Sequence, residues 1–342
     1  MDPAISVCIV TARRHDQLDR CLASLAVQQH APPFEVIIGA DAGDDIVDRV
    51  RSHQLDAAVV ELADGRGRPL APSDKRNAVV ERATGAILLF LDDDVVAPHG
   101  LLASLIELAR EHPDAAAFGG PNLTPPQSTR FELVQGAALG SLIGTGPARR
   151  RWGAHPRGPA RDPYFTLCNM AVRRADMVPF RPGVFGGEET ALFNELRRNG
   201  HALWYDPELR VFHDRRPTLT AFLQQIHRYG RGRGWAIRRT TANLRLPMVL
   251  PIALLLYLAF VPVFLLRAPL LLVPLAIYCA AVVAEGVKIG LTARRIWWAG
   301  PAAMGLLPAI HLSYAIGMIT GLAGRPRSRA SDPASWVSVD RV

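Results

Sequence analysis

The sequence predicts an α/β domain with a mainly parallel sheet, followed by C-terminal membrane helices. Three observations carry that expectation. Short, continuously apolar, β-branched runs recur through the first half of the chain. Stretches of helical period separate them, as in repeated βαβ units. After about Asn243 the composition shifts, and Leu246 to Leu322 is mostly apolar.

Taken in order, Ile5-Thr11 is a buried strand and Leu18, Cys21, Leu22 and Leu25 mark a helix. Glu35-Ala40 is the next strand, ended by the turn-prone Asp41-Ala42-Gly43-Asp44-Asp45. A helix over Ile46-Ser52 precedes a third strand, Ala57-Leu62. Lys75-Ala83 is helical and stops at Thr84-Gly85, and Ala86-Leu91 is a strand that runs into Asp92-Asp93-Asp94. Ligands of such sheets bind beyond the carboxyl ends of the strands, so Thr11, Asp41 and Asp92 are expected to share one crevice. Gly119-Arg161 is less regular and holds Arg149, Arg150, Arg151, Arg157 and Arg161. A loop over the site and a solvated connector both remain open for it. Leu167-Val172 reads as a strand, and Leu192-Asn199 as a helix closed by Gly200.

The apolar region divides into Leu246-Leu266, Pro269-Ala284 and Pro301-Leu322. A bilayer core needs about 20 apolar residues in a helix, so the first and third qualify and the second is marginal. Three crossings would place Arg325, Arg327 and Arg329 opposite the side that the positive-inside rule assigns them. The number of crossings stays open at two or three, with the proline-broken third segment as the candidate for a re-entrant or interfacial course.

With 342 residues the chain has room for one large soluble domain and a smaller second unit. Its net charge is +8, nearly all from arginine, with Lys75 and Lys288 as its lysines. The basic blocks Arg228-Arg239 and Arg325-Arg329 flank the apolar region, which points to lipid headgroups and not to nucleic acid. Cys8, Cys21, Cys168 and Cys279 are scattered without metal-ligand spacing and read as packing residues. The sequence opens on a strand without a basic-then-apolar leader, so no cleavable signal is expected and the catalytic domain is placed in the cytoplasm.

Three features could carry chemistry. Asp92-Asp93-Asp94 sets three carboxylates at a buried strand end, where mutual repulsion favours a hard cation such as Mg²⁺; an acidic, turn-forming strand end is the alternative. Glu188-Glu189 opens an amphipathic helix, where carboxylates serve either as dipole caps or as a general base. Gln225 and Arg228 lie one turn apart on the flank of a helix containing Leu219, Phe222, Leu223 and Ile226; they could meet a sugar hydroxyl and a diphosphate, or simply solvent. His213 and Asp214 read as structural.

In this order the features resemble the family-2 glycosyltransferases, enzymes of the GT-A fold (Rossmann-like). Val10-Thr11-Ala12-Arg13-Arg14 stands where that family has its first turn, and Ala40-Asp41-Ala42-Gly43 where it has Asp-Asp-Gly-Ser. Lys75-Arg76-Asn77 resembles its Arg-Asn element, Asp92-Asp93-Asp94 its DxD motif, and Cys168-Asn169-Met170-Ala171 with Arg173-Arg174 the segment before its acceptor site. Glu188-Glu189 takes the place of Glu-Asp, and Gln225-Ile226-His227-Arg228-Tyr229 is similar to QxxRW. The resemblance implies an inverting sugar transfer. Thr11, Arg13, Asp41, Lys75, Arg76, Asp92, Asp93, Gln225 and Arg228 would bind the nucleotide-sugar. Asp92 and Asp94 would hold Mg²⁺ or Mn²⁺, and Glu189, with Glu188, would supply the catalytic carboxylate. It divides the chain into residues 1–240 (a nucleotide half to 118 and an acceptor half from 119), a membrane region 246–322, and a polar tail 323–342. The implied partners are a nucleotide-sugar donor, a lipid-linked or glycan acceptor and membrane lipids, at the cytoplasmic face of the cytoplasmic membrane. A membrane-tethered nucleotide-sugar sensor and a nucleotidyltransferase are the rival readings.

Overall fold

The computed structural model describes residues 3–160, 166–181, 188–239, 244, 246–293, 296–324 and 335–341. Arg161, Asn243 and Arg325-Arg329, read in the sequence above, lie outside the described residues.

The chain forms two compact units. The first comprises residues 1–123, 153–214 and 328–342. It opens as β1 (Ile5–Val10), α1 (His15–Ala26), β2 (Phe34–Asp41), α2 (Val47–Arg51), β3 (Ala57–Ala63), α3 (Pro72–Arg82) and β4 (Ile87–Asp92). The pairs β1–β2, β1–β4 and β2–β3 are all parallel. Each expected strand and helix of this half is present, because both faces of the strands are covered and a continuous apolar run satisfies both. Leu18, Cys21, Leu22 and Leu25 of α1 are fully buried against one face of the sheet core.

Next come β5 (Val95–Val96), α4 (Leu101–Glu111), β6 (Ala115–Gly119) and β7 (Asn122–Leu123). The chain re-enters this unit with β8 (Gly158–Pro159), β9 (Asn169–Arg173), α7 (Glu188–Arg198), β10 (Ala202–Tyr205) and β11 (Val211–His213). The sheet order is β12-β3-β2-β1-β4-β9-β6-β10-β8, and β5-β11-β7 form a separate small sheet. Beyond the parallel half the sheet is mixed, since β9 runs antiparallel to both β4 and β6. β12 (Ser335–Arg341) lies inside the stretch read as a polar tail. It takes the edge of the sheet and pairs antiparallel with β3, with a register shift between Trp336 and Ser338.

One buried carboxylate ties the start of this sheet together. Glu35 Oε1 accepts hydrogen bonds from the Ser6 hydroxyl at 2.6 Å, the Thr84 backbone N–H and hydroxyl at 2.7 Å each, and the Gly85 N–H at 3.3 Å. A side chain at Gly85 would put a Cβ 2.5 Å from the Ser6 nitrogen, so only glycine admits this approach. Burial alone would raise the Glu35 carboxyl, but the Ser6, Thr84 and Gly85 donors overcome it and hold it below its ordinary value. Glu35→Gln is therefore expected to lower stability by roughly 1–2 kcal/mol near neutral pH. A depressed folded pKa gives stability that is complete above the unfolded value, about 4.3, and fades as pH falls through the folded one. Thermal melts of both chains should accordingly converge at acid pH.

The second unit comprises residues 124–152 and 215–327. Its elements are α5 (Arg130–Leu139), α6 (Leu142–Thr145), α8 (Leu219–Arg239), α9 (Leu246–Arg267), α10 (Val273–Thr292) and α11 (Ala299–Ala323). Part of the stretch read as irregular is thus the helix α5, begun by a reciprocal Thr129–Glu132 capping box. Arg149-Arg150-Arg151 ends a 3₁₀ turn after α6. α9, α10 with its preceding turn, and α11 are each long and apolar enough to cross a membrane. The second span was marginal in the sequence because Glu285 interrupts it; Lys288 pairs with Glu285 at 3.1 Å, and the helix continues through both.

Candidate active site

The carboxyl ends of β1, β2 and β4 lie side by side, with Val10 opposite Gly39 of β2 and Asp92 of β4. The polar residues that follow these strands therefore converge, as their sequence positions led one to expect. α3 packs against β1 and β2 beside this group. Its N-terminal turn buries Ser73, Asp74, Lys75 and Arg76, an unusual load for a helix unless these side chains serve a polar site.

Two chains of charge contacts build the site. In the first, Lys75 Nζ pairs with Asp41 Oδ1 at 2.6 Å and donates to the Thr11 carbonyl at 2.8 Å. The Thr11 hydroxyl donates to Asp93 Oδ2 at 2.8 Å. Arg14 spans Asp93 and Asp94 at 2.6 and 2.5 Å, and Asp94 Oδ1 lies 3.2 Å from His213 Nε2. In the second, Arg76 joins Asp92 at 3.3 Å to Glu188 at 3.0 Å. Arg13 is exposed, with a left-handed φ of +53° held by a hydrogen bond from its N–H to Asp44.

The three aspartates have different environments. Asp93 is raised to about 6: burial is the main cause, opposed by Arg14 and Thr11 and reinforced by its aspartate neighbours. Burial pushes Asp94 the same way, but His213 and Arg14 outweigh it and hold this carboxyl far below the ordinary range. Asp92 is the most exposed of the three and faces out of the strand end.

Asp92, Cys168 and His213 each offer one ligand atom within 4.8 Å of the others. Burial pushes the Cys168 thiol up to about 12, and its sulfur already meets the Thr166 hydroxyl at 2.8 Å and the Asn122 amide at 3.0 Å; a soft sulfur suits Mn²⁺ or Mg²⁺ less than carboxylate oxygen does. The His213 Nδ1–H donates to the Asp214 carbonyl at 2.9 Å, which leaves Nε2 as the atom turned towards Asp94. Two carboxylates and an imidazole fit Mn²⁺ or Mg²⁺ better than a soft metal.

His213 is the residue the sequence reading set aside. It reaches the site because β11 pairs antiparallel with β5, placing His213 opposite Val95, next in sequence to Asp94. Glu188 and Glu189 both stand in the first turn of α7; Glu188 is buried against Arg76 and Glu189 is half-buried. Gln225 and Arg228 lie on α8 of the second unit, Gln225 half-buried and Arg228 exposed.

The family model for glycosyl transferase family 2 matches residues 6–174. A glucosyl-dolichyl phosphate glucuronosyltransferase from Haloferax volcanii is 27% identical over 122 residues, a match spanning 35% of this chain and 38% of that one. In structure the chain is similar to a mannosyltransferase from Pyrobaculum calidifontis, solved in complex with GDP-Man and Mn2+. That superposition has a TM-score of 0.58 at 15% identity and covers 94% of this chain and 88% of the other, a likeness of fold. Residues 6–174, which carry Thr11, Asp41, Lys75-Arg76 and the aspartate triplet, thus form a domain of the glycosyl transferase family 2 type with a GT-A-like fold.

Proposed function

We propose that the protein transfers a sugar, with inversion, from a nucleotide-sugar to a lipid-linked or nascent glycan acceptor at the cytoplasmic face of the cytoplasmic membrane. The observation that carries this is the juxtaposition of Asp92 and Glu188 through Arg76. It brings the carboxylate expected near the donor's diphosphate and the helix turn that bears the proposed base to one guanidinium.

Thr11, Arg13, Asp41, Lys75 and Arg76 would bind the nucleotide, with the Lys75–Asp41 pair fixing the turn after β1. Asp92, Asp94 and His213 would hold a divalent cation, Mn²⁺ or Mg²⁺, which neutralises charge on the departing diphosphate. Glu188 is paired with Arg76, and Glu189 beside it would act as the base. Glu189 would take the proton of the acceptor hydroxyl as that oxygen bonds to the anomeric carbon and the nucleoside diphosphate leaves from the opposite face. The apolar helices would set this chemistry beside lipid-borne acceptors.

The test is nucleotide release and sugar transfer by the detergent-solubilised chain, with UDP-, GDP- and dTDP-sugars and Mg²⁺ or Mn²⁺. Metal-dependent turnover of one donor is the expected result; tight binding without turnover would indicate a sensor, and no binding would overturn the reading. His213→Ala is expected to raise the metal concentration for half-maximal release on the order of tenfold or more. A metal titration unchanged by the substitution would remove His213 from the ligand set.

A further inference from the structure

Among the described residues three helices are long and apolar enough to cross a bilayer, yet the strand that follows them belongs to the sheet that precedes them. β12 comes after α11 and is hydrogen-bonded to β3, whose other neighbour is β2. One sheet lies on one side of a membrane. The chain that leaves the first unit at Asp214 must therefore have returned to the same side by Ser335, after an even number of crossings. Residues 325–334 include Arg325, Arg327, Arg329 and Asp332 and offer no apolar run for a further passage.

We infer that α9 and α10 cross as a hairpin, whereas α11 stays in the interface on the catalytic side, locked to α8. α9 has no buried residue, as befits a helix surrounded by lipid. In contrast, 39% of the apolar stretch of α11 is buried within the protein, against 11% for α10. α11 packs on apolar residues of α10 (Val282, Ile289) and of α8 (Phe222, Ile226), with Gly286 and Gly290 of α10 beside Gly300, and its closest backbone approach is to α8. Gly230 and Gly234 of α8 interlock with Gly317 and Gly321 of α11, two small-xxx-small pairs facing each other. A Cβ at Gly317 would lie 2.1 Å from the His227 carbonyl oxygen, and one at Gly321 would lie 2.2 Å from that of Arg231. The helices run parallel, because Leu223, His227 and Arg231 meet Ser313, Gly317 and Gly321 in turn.

α8 carries arginine along this whole contact. Arg231 stacks on Trp235 at 5.1 Å, Arg238 donates to the Gly324 carbonyl at 2.5 Å, and Arg228 is exposed. A helix bound to α8 backbone to backbone cannot enter the hydrocarbon without taking these guanidinium groups with it. The middle of α11 is held as well: the His311 Nε2–H donates to the Ile143 carbonyl at 2.7 Å. Ile143 belongs to residues 124–152, an excursion that begins and ends in the first unit and contains none of the three candidate spans. On α11 the most exposed large apolar residues are Ile316 and Ile319, one turn apart, a stripe narrow enough for a helix lying in the interface. This course puts the α8 arginines at the level of the lipid phosphates.

The inference is independent of sugar transfer and is tested by single cysteines in the full chain carrying Cys279→Ala, the remaining native cysteines being buried. Arg66→Cys, Ala268→Cys, Trp297→Cys and Ser331→Cys are labelled in whole cells with a membrane-impermeant maleimide, before and after permeabilisation. Positions 66, 297 and 331 are expected to react as one class and position 268 as the opposite class. Position 331 grouping with 268, position 297 grouping with 268, or all four reacting alike would each overturn the assignment. Trypsin added to sealed vesicles of the unsubstituted chain gives a second readout. The first unit and the arginines of residues 325–329 are expected to be cut from the same face, and cutting from opposite faces would overturn the even count.

Discussion

Glu189→Gln is expected to lower the rate of sugar transfer by about 10²- to 10⁴-fold while leaving donor binding within a few-fold of wild type. The amide keeps the shape of the side chain and its place in the first turn of α7 but cannot accept the proton of the acceptor hydroxyl. The neighbouring Glu188 is a poor substitute, because its buried carboxylate is paired with Arg76 at 3.0 Å. Single-turnover transfer alongside calorimetric donor binding separates the two effects. A Glu189→Gln chain that transfers at the wild-type rate would assign the base elsewhere, and Glu188 would then be the group to replace. Loss of donor binding in parallel with turnover would instead show that Glu189 holds the donor.

The second large effect is expected at Arg76, and it is one of stability before it is one of rate. The guanidinium is mostly buried and serves Asp92 and Glu188 together. Arg76→Met keeps most of the aliphatic stem but strands a buried carboxylate at Glu188, so a loss of roughly 3 kcal/mol or more is expected. Adding Glu188→Gln removes the stranded charge and should restore a substantial part of that loss, a coupling that a double-mutant cycle measures directly. If the two substitutions simply add, the pair does not act as the structure shows it.

The parallel half of the sheet was legible because its signals are local. A run such as Ile5-Val10 has few options other than a strand covered on both faces, and every polar residue at its carboxyl end inherits a place in the crevice. The site residues that were legible all follow such strands or open a helix. His213 was not legible, since its role depends on the pairing of a three-residue strand with the two residues after Asp94, a long-range contact with no periodic trace. Helix α5 was missed although Thr129 and Glu132 spell a capping box, because Arg130–Leu139 buries only part of its surface in a pattern set by helices far along the chain. β12 was hidden for a related reason: a short edge strand takes its meaning from the partner it finds, here β3. The aspartate triplet was recognised as a unit, whereas its division into a raised Asp93 and a depressed Asp94 depends on Arg14 and His213.

The interlocked glycines of α8 and α11 also impose an order of events during synthesis. Residues 230–234 lie against residues 314–322, so α8 leaves the ribosome without the surface it is shaped to meet. At about 5–20 residues per second, the wait is on the order of ten seconds. β3 is in the same position, since its outer hydrogen-bonding edge is covered by β12 only when residues 335–341 emerge. For that interval the nascent chain exposes a bare glycine groove and an open sheet edge, both prone to mispairing. Closure of both surfaces therefore waits for residues 299–341, and a ribosome stalled within α10 would hold a chain whose early strands are formed but whose glycine groove and sheet edge are still open.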